Sequence, residues 1–182
     1  MPALDPTFAL RTERLRLTPL QESDAPFLVE LLNDPDFLTQ IGDRGVRDEE
    51  SAVVWLDSGP RASWKTHGFG LLRVGLRSGG TAIGICGILR RPGLDHPDLG
   101  FALLPAWRGK GLASEAARAV LDHARHALGL TRIEAITSIG NAASGRVLTG
   151  LGFRLEGEVQ VGQEPVLLYG SDGLGTDGQT PA

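Results

Sequence analysis

The chain of 182 residues has one cysteine, one tyrosine, no excess of basic residues and no long apolar run. Cys86 alone cannot form a disulfide within the chain, which indicates a reducing compartment. A formal net charge of −4 argues against a general nucleic-acid or membrane-surface binder, since both need a concentrated basic face. The apolar runs are too short to span a bilayer, and residues 1–8 lack the pattern of a signal peptide. The sequence therefore predicts a cytoplasmic protein with neither nucleic acid nor membrane as a partner.

The residues that most often carry metal or thiol chemistry are also sparse. Cys86 lies in an apolar run between Ile85 and Gly87, which favours a buried structural thiol over a nucleophile. His123 and His126 are one helical turn apart, but no aspartate or glutamate completes a metal site at the expected spacing. We predict no metal site.

What the chain has is enough apolar sequence for one core, since 41% of its residues are hydrophobic. We predict a single domain over residues 1–170. Residues 171–182 contain Gly173, Gly175 and Gly178 among polar residues without apolar periodicity. That composition predicts a disordered C-terminal tail.

The hydrophobic pattern predicts a mixed α/β fold. Strands are expected at residues 15–20, 69–76, 81–89, 99–104, 133–139, 153–161 and 165–169, and helices near 23–32, 48–59, 113–128 and 142–149. Asn33-Asp34-Pro35 is expected to stop the first helix, and Gly59-Pro60 to end or break the second. The helix from Ala113 has the clearest amphipathic pattern in the chain.

The segment from Arg108 to Ala113 lies between a predicted strand and that helix. A helix N-terminus offers unpaired N–H groups and a partial positive charge, which together favour an anion. Gly109 and Gly111 allow close approach of the backbone to a phosphate, and Arg108 and Lys110 add positive charge. A tight turn with solvated basic residues is the simpler reading of the same segment.

Two known phosphate motifs fit this segment less well. A Walker loop requires glycine and serine or threonine where the chain has Leu104 and Gly111. A dinucleotide fingerprint fits better, but its third glycine is Ser114, and the chain lacks repeated strand–helix alternation. Dinucleotide binding is kept as an alternative.

The motif Arg108-x-x-Gly111-x-Ala113 resembles the pyrophosphate signature of the GNAT superfamily of N-acetyltransferases. The run from Asp98 to Ala116 is similar to the RimJ/RimL-like branch of that superfamily. So are three further elements: Asn141-Ala-Ala-Ser144, Leu151-Gly-Phe153 with Glu156-Gly157, and Arg11-Thr-Glu-Arg14-Leu. The resemblance covers about residues 10–170. It implies a mixed, mostly antiparallel sheet with two splayed central parallel strands, flanked by helices.

The resemblance also implies acetyl-CoA as cosubstrate and assigns its contacts. The backbone of Ala102, Leu103 and Leu104 would pair with the pantetheine arm, and that of Gly109, Lys110, Gly111, Leu112 and Ala113, with Arg108, would hold the pyrophosphate. Asn141 would contact the cofactor arm, although a helix cap is an equal reading of this residue. The N–H of Leu103 would stabilise the oxyanion of the thioester carbonyl.

Catalytic groups are assigned on the same basis. Ser144 matches the position that hydrogen-bonds or protonates the leaving thiolate, and a plain helix-surface serine is the alternative. Asp98 takes the position of a carboxylate that removes the amine proton, directly or through water, because a protonated amine cannot attack. Glu164 is a second candidate for this base, and His67 is a candidate lining of the acceptor pocket.

The resemblance thus implies transfer of an acetyl group to a primary amine of a protein N-terminus or a small molecule. A GNAT-fold module that binds acyl-CoA without transfer is the alternative from another class, and an NAD(P)-dependent oxidoreductase is a second. The acceptor, a preference for another acyl-CoA and the pairing of two copies as a homodimer are left open.

Overall fold

The computed structural model describes residues 5–172 and has one mixed sheet with helices on both faces. Its strands are β1 (Leu10–Arg11), β2 (Leu15–Pro19), β3 (Leu71–Leu76), β4 (Ala82–Leu89), β5 (Asp98–Leu103), β6 (Arg132–Ser138), β7 (Arg154–Val161) and β8 (Glu164–Asp172). Its helices are α1 (Ala25–Leu32), α2 (Pro35–Gln40), α3 (Glu49–Leu56), α4 (Ala62–His67), α5 (Leu112–His126) and α6 (Ala142–Gly150).

The order of strands in the sheet is β1-β2-β3-β4-β5-β6-β8-β7. All neighbours are antiparallel except β5 and β6, which are parallel. A right-handed crossover through α5 is the connection such a parallel pair needs. The predicted fold class is confirmed.

Two hydrophobic clusters hold the helices on the sheet. Buried residues of α5, among them Ala116, Val120 and Leu121, pack against Val74, Ile83 and other sheet residues. Leu28, Leu31 and Leu56 of α1 and α3 pack with Leu71 and Ile85. Cys86 is fully buried in the first cluster, and burial raises the pKa of its thiol, as expected for a structural cysteine. Among residues 5–172, no helix has both the length and the apolar character needed to cross a bilayer.

Two segments that were predicted to end helices lead into further helical segments in the structure. Asn33-Asp34-Pro35 does end α1, but Asp34 caps a further helix, α2, by accepting a hydrogen bond from the Phe37 N–H at 3.1 Å. Pro35 suits the first helical position, where its missing N–H costs nothing. α3 ends at Leu56, but Pro60 does not break the helical path that follows it. Residues Asp57–Arg61 form a π-helical turn that carries the chain into α4, so Pro60 lies inside a helical segment.

The predicted boundary at residue 170 is two residues early. Ser171 pairs with Ile133, and Asp172 accepts a hydrogen bond from Arg132 at 2.6 Å, so β8 continues through both. The remainder of the predicted tail, residues 173–182, lies outside the described residues.

Candidate active site

β5 and β6 separate almost as soon as they meet. Among the described residues, Asp98 and Glu134 are the one register pair between these strands. On its other edge β5 pairs with β4 along its whole length, and β6 pairs with β8 along its whole length. Beyond Asp98, the edge of β5 that faces β6 is therefore open, and its N–H and C=O groups have no partner in the sheet.

The register determines which backbone groups of β5 face this opening. Leu104 donates its N–H to the Ile83 carbonyl at 2.8 Å, and antiparallel bonding repeats every second residue. Ala102 therefore bonds to Ile85 in β4, while the backbone groups of Phe101 and Leu103 point away from β4. Of the residues predicted to pair with a cofactor arm, only Leu103 has its backbone on this open face, where its carbonyl already accepts from Arg108 Nε at 2.9 Å. Ala102 and Leu104 are occupied by β4, and Phe101, which sequence reasoning missed, joins Leu103.

The start of α5 follows directly after β5. Gly109 and Gly111 have φ of +70° and +74°, a region that residues with a Cβ rarely adopt, and Gly111 is the N-cap of α5. The first-turn N–H groups from Leu112 onward have no partner one turn back within the helix. They are directed at the space beyond the end of β5, as an anion site requires.

Glu115 fixes this helix start to the N-terminal strands. Its Oε1 accepts from the Thr12 hydroxyl at 2.5 Å and from the Arg14 N–H at 2.8 Å, and its Oε2 accepts from Arg14 Nε at 2.6 Å. Arg14 also donates to the Lys110 carbonyl at 3.0 Å. The loop is thus held from behind by one carboxylate and one guanidinium, which keeps its N–H groups in place.

The two basic side chains of the loop have partners of their own. Arg108 donates to Asp34 at 2.6 Å, to Asp36 at 2.5 Å and to the Leu103 carbonyl at 2.9 Å. It lines the cavity beside α5, but its guanidinium ties α2 to the end of β5. The ammonium of Lys110 lies 5.2 Å from the centre of the Trp107 ring, and Lys110 is not among the residues that line this cavity. The sequence predicts that both side chains add positive charge to a phosphate site, whereas in the structure Arg108 is bonded to α2 and Lys110 lies over Trp107.

Two adjoining cavities occupy the opening between β5 and β6. One, of about 520 Å³, lies along Phe101, Leu103 and the start of α5, and we call it the cofactor cavity. The other, of about 540 Å³, lies between α4 and the ends of β4 and β6, and we call it the acceptor cavity. The residues common to both are Phe37, Gln40, Ile41, Phe101, Ala102, Asn141 and Ser144. A group that passes from one cavity to the other must cross at these residues.

Asn141 and Ser144 meet at this junction. The Asn141 side chain accepts a hydrogen bond from the Ser144 N–H at 3.1 Å and so caps α6. It also lines both cavities, so the two readings of this residue are compatible. The cap uses the backbone of Ser144 and leaves its hydroxyl for other partners.

α2 forms the opposite wall of the junction through Phe37, Gln40 and Ile41. Gln40 accepts a hydrogen bond from the Ser138 hydroxyl at the end of β6, which joins this wall to the sheet. These three residues were not predicted, because Asn33-Asp34-Pro35 was interpreted as the end of a helix and not as the start of α2.

The predicted bases lie elsewhere. Asp98 is fully buried and lines neither cavity; its Oδ2 accepts from Arg91 Nε at 2.7 Å, and Oδ1 has no hydrogen-bond partner among residues 5–172. Arg91 lines the acceptor cavity instead. Glu164 is exposed at the start of β8 and lines neither cavity. His67 does line the acceptor cavity, where its ring stacks on Phe69 with 5.6 Å between ring centres.

Burial raises the pKa of the Asp98 carboxyl above 3.8, and the charge of Glu134 adds to this, while Arg91 opposes it. A raised native pKa means that the folded state binds more protons than the unfolded state once the pH exceeds about 4. Stability should then fall as pH rises through the native pKa, by about 1.4 kcal/mol for each unit by which that pKa is raised. We expect wild type to lose stability relative to Asp98→Asn over this range, in urea unfolding followed by tryptophan fluorescence. A gap that instead widens in favour of wild type with rising pH would show a lowered pKa.

Comparison with known proteins identifies a family to which this chain is similar. A model of the acetyltransferase (GNAT) domain matches residues 14–154. The solved structure of an acetyltransferase from Agrobacterium tumefaciens is 30% identical, with a TM-score of 0.78 over 94% of this chain and 98% of that chain. An N-acetyltransferase of Bacillus subtilis, YoaA, is 25% identical over 150 residues, which are 81% of this chain and 84% of YoaA.

A third likeness concerns the fold alone. RimL, an α-N-protein acetyltransferase of ribosomal L7/L12, was solved in complex with coenzyme A. It is 16% identical, with a TM-score of 0.69 over 91% of this chain and 98% of that chain.

Proposed function

The chain belongs to the GNAT acetyltransferase family, and from this premise we propose that it transfers an acetyl group from acetyl-CoA to a primary amine. One observation carries the proposal. The opening between β5 and β6 joins a cavity under a helix N-terminus to a second cavity, and an unpaired strand N–H and a serine hydroxyl lie at or beside their junction.

Acetyl-CoA would lie in the cofactor cavity. Its pantetheine arm would pair with the open edge of β5 through the Leu103 N–H and the Phe101 carbonyl, since the Leu103 carbonyl is already bonded to Arg108. Its pyrophosphate would accept hydrogen bonds from the backbone of residues 109–113, which combine positive-φ glycines with the positive end of α5. This arrangement directs the thioester toward Asn141 and Ser144.

Each step of the transfer has a group near the junction. The amine nitrogen attacks the thioester carbonyl, so that a C–N bond forms and the C–S bond breaks. The Phe101 N–H, which lies at the junction, stabilises the negative charge that develops on the carbonyl oxygen, in place of the predicted Leu103 N–H, which pairs with the pantetheine arm. The Ser144 hydroxyl donates a proton or a hydrogen bond to the departing sulfur, which leaves as coenzyme A.

The amine must also lose a proton, because only the free amine is a nucleophile. Asp98 is separated from the acceptor cavity by Arg91, and Glu164 is outside it. His67 is the imidazole among the described lining residues and is better placed to accept the proton, directly or through water. Removal of the proton by Asp98 stays a prediction of the sequence that this geometry does not favour.

The acceptor cavity defines where the amine binds. Its volume of about 540 Å³ falls within the range of small-molecule sites, and the end of a peptide chain would also fit. The alternative of a dinucleotide enzyme has less support, since the sheet has one parallel pair of strands where a doubly wound fold needs several.

Ligand specificity tests the cofactor assignment. Acetyl-CoA at a hundredfold excess over its Kd should stabilise the protein by about 2.7 kcal/mol, because it binds the folded state alone. NADH and ATP at equal concentration should not, since neither offers a pantetheine arm to β5. Thermal unfolding with each ligand measures this. A shift in Tm with NADH and none with acetyl-CoA would refute the proposal.

A further inference from the structure

The walls of the acceptor cavity carry an excess of positive charge. Arg44, Arg90 and Arg91 line it together with His67, and no aspartate or glutamate is among its described lining residues. The lining of the cofactor cavity includes an acidic residue as well as a basic one, since Asp36 accepts a hydrogen bond from Arg108 there. Three guanidinium groups without an acidic wall residue are unusual in a cavity that has to receive a cationic amine, because like charges repel.

Arg91 is the most firmly held of the three. Its Nε donates to the fully buried Asp98, and its side chain is 28% exposed. An added Cβ at Gly100 would lie 3.6 Å from one of its terminal nitrogens, so the guanidinium lies beside a β5 residue that lines the same cavity. Asp98 binds Nε, and no hydrogen bond among residues 5–172 occupies the two terminal nitrogens. Paired terminal nitrogens are the part of a guanidinium that binds an oxyanion with two hydrogen bonds.

Arg44 approaches the same place from the segment after α2. Partial loss of water and the positive charge of Arg91 lower the pKa of the Arg44 guanidinium. Its own contact is with the Ile41 carbonyl, at 3.5 Å, and Arg90 donates to the Asp95 carbonyl at 2.9 Å. Both contacts use neutral carbonyl oxygens, and within the described part of the chain no carboxylate forms an ion pair with either charge. An anion between them and Arg91 would relieve the repulsion.

We propose that the acceptor is a small amine that also carries an oxyanion, a carboxylate or a phosphate, bound by Arg91, Arg44 and Arg90. This rests on the proposed function, since it places the amine at the junction and the anion at the arginines. Gly100, beside Arg91, is three residues along β5 from Leu103, or about 10 Å at 3.3 Å per residue. The anion and the amine of one small molecule can span much of that distance. Asp98 is a positioning residue in this account, because it acts through Arg91.

Matched acceptors test the proposal. 4-Aminobutyrate is compared with its neutral amide, 4-aminobutanamide, and phosphoethanolamine with ethanolamine, as acceptors of the acetyl group from acetyl-CoA. We expect kcat/KM for an acidic member to exceed that of its neutral counterpart by at least tenfold. The pair that shows the preference identifies carboxylate or phosphate as the group recognised.

Arg44→Gln should remove the preference by lowering kcat/KM at least tenfold for the acidic member and little for the neutral one. Arg91→Gln should do the same. If that variant unfolds because Asp98 loses its ion-pair partner, Arg44→Gln still tests the proposal. Arg118→Gln is the control. It removes the same charge from a residue that is exposed on α5 and lines neither cavity.

Calorimetry separates failure of this inference from failure of the proposed function. 4-Aminobutyrate and 4-aminobutanamide are titrated into the protein saturated with coenzyme A, where no transfer is possible. Transfer to acidic and neutral amines at equal rates, or to acidic and neutral peptides far better than to either small pair, would overturn the inference and leave acetyl transfer intact. If no amine is acetylated, the proposed function fails, and equal binding of 4-aminobutyrate and 4-aminobutanamide would overturn the inference as well.

Discussion

Replacing Gly111 with valine is expected to lower the affinity for acetyl-CoA at least a hundredfold. Gly111 has φ of +74° at the N-cap of α5, a conformation that a β-branched residue does not adopt without strain. The backbone should turn away from this region, which would displace the N–H groups proposed to hold the pyrophosphate. A Cβ itself has room, since Arg14 would be 3.6 Å from it, so the effect comes from the backbone and not from a steric clash. Isothermal calorimetry with coenzyme A measures the loss.

The control is Gly79→Val. Gly79 has φ of +79° in the turn between β3 and β4 and lines neither cavity, so the same substitution introduces similar strain away from the site. We expect both variants to lose stability and only Gly111→Val to lose coenzyme A. Equal affinity in the two variants would mean that the anion site is elsewhere.

Replacing Ser144 with alanine is expected to lower kcat about a hundredfold and to change the Kd for acetyl-CoA little. The hydroxyl is proposed to assist the departing thiolate, and a general acid typically contributes a factor of a hundred or more. The fold should persist, because Asn141 caps α6 through the Ser144 backbone N–H, which alanine retains. Pre-steady-state release of coenzyme A isolates this step from product dissociation.

A pH profile and a conservative variant distinguish this role from a structural one. Above about pH 8.5 a thiolate leaves readily without a proton, so the deficit of Ser144→Ala should shrink there. Ser144→Thr keeps a hydroxyl and should recover most of the activity. A deficit that is constant with pH and not recovered by threonine would show that Ser144 acts through packing.

The sequence predicted the elements that local pattern defines. α5 was visible because its small and apolar residues recur every three or four positions and Gly111 precedes them, and the structure begins it at Leu112. The antiparallel hairpin of β3 and β4 was equally clear from its turn. Asn141 and Ser144 were selected by resemblance, and the structure brings both to the cavity junction.

Other features of the site were not predicted, because they depend on contacts with residues elsewhere in the chain. Phe101 was missed, and Ala102 and Leu104 were included, because only the register with β4 decides which backbone groups are free. Asp98 was predicted to be the base, whereas in the structure it is buried and accepts a hydrogen bond from Arg91, seven residues earlier.

α2 and the cluster formed by Arg44, Arg90 and Arg91 were not predicted, for related reasons. Pro35 was read as a stop, although it also begins a helix that Asp34 caps. Arg44 and Arg91 come together only when the segment after α2 folds over the end of β4, and no spacing in the sequence records that contact.

The most direct test of acetyl transfer is a single-turnover reaction with the protein in excess over acetyl-CoA. Free coenzyme A thiol and acetylated amine are quantified by mass spectrometry, with and without the panel of small amines and a peptide bearing a free N-terminus. We predict that coenzyme A appears in step with one N-acetylated product, and that Ser144→Ala slows both equally. Acetyl-CoA that binds and stabilises the protein, yet stays intact with every amine supplied, would contradict acetyl transfer and identify the chain as a binding module.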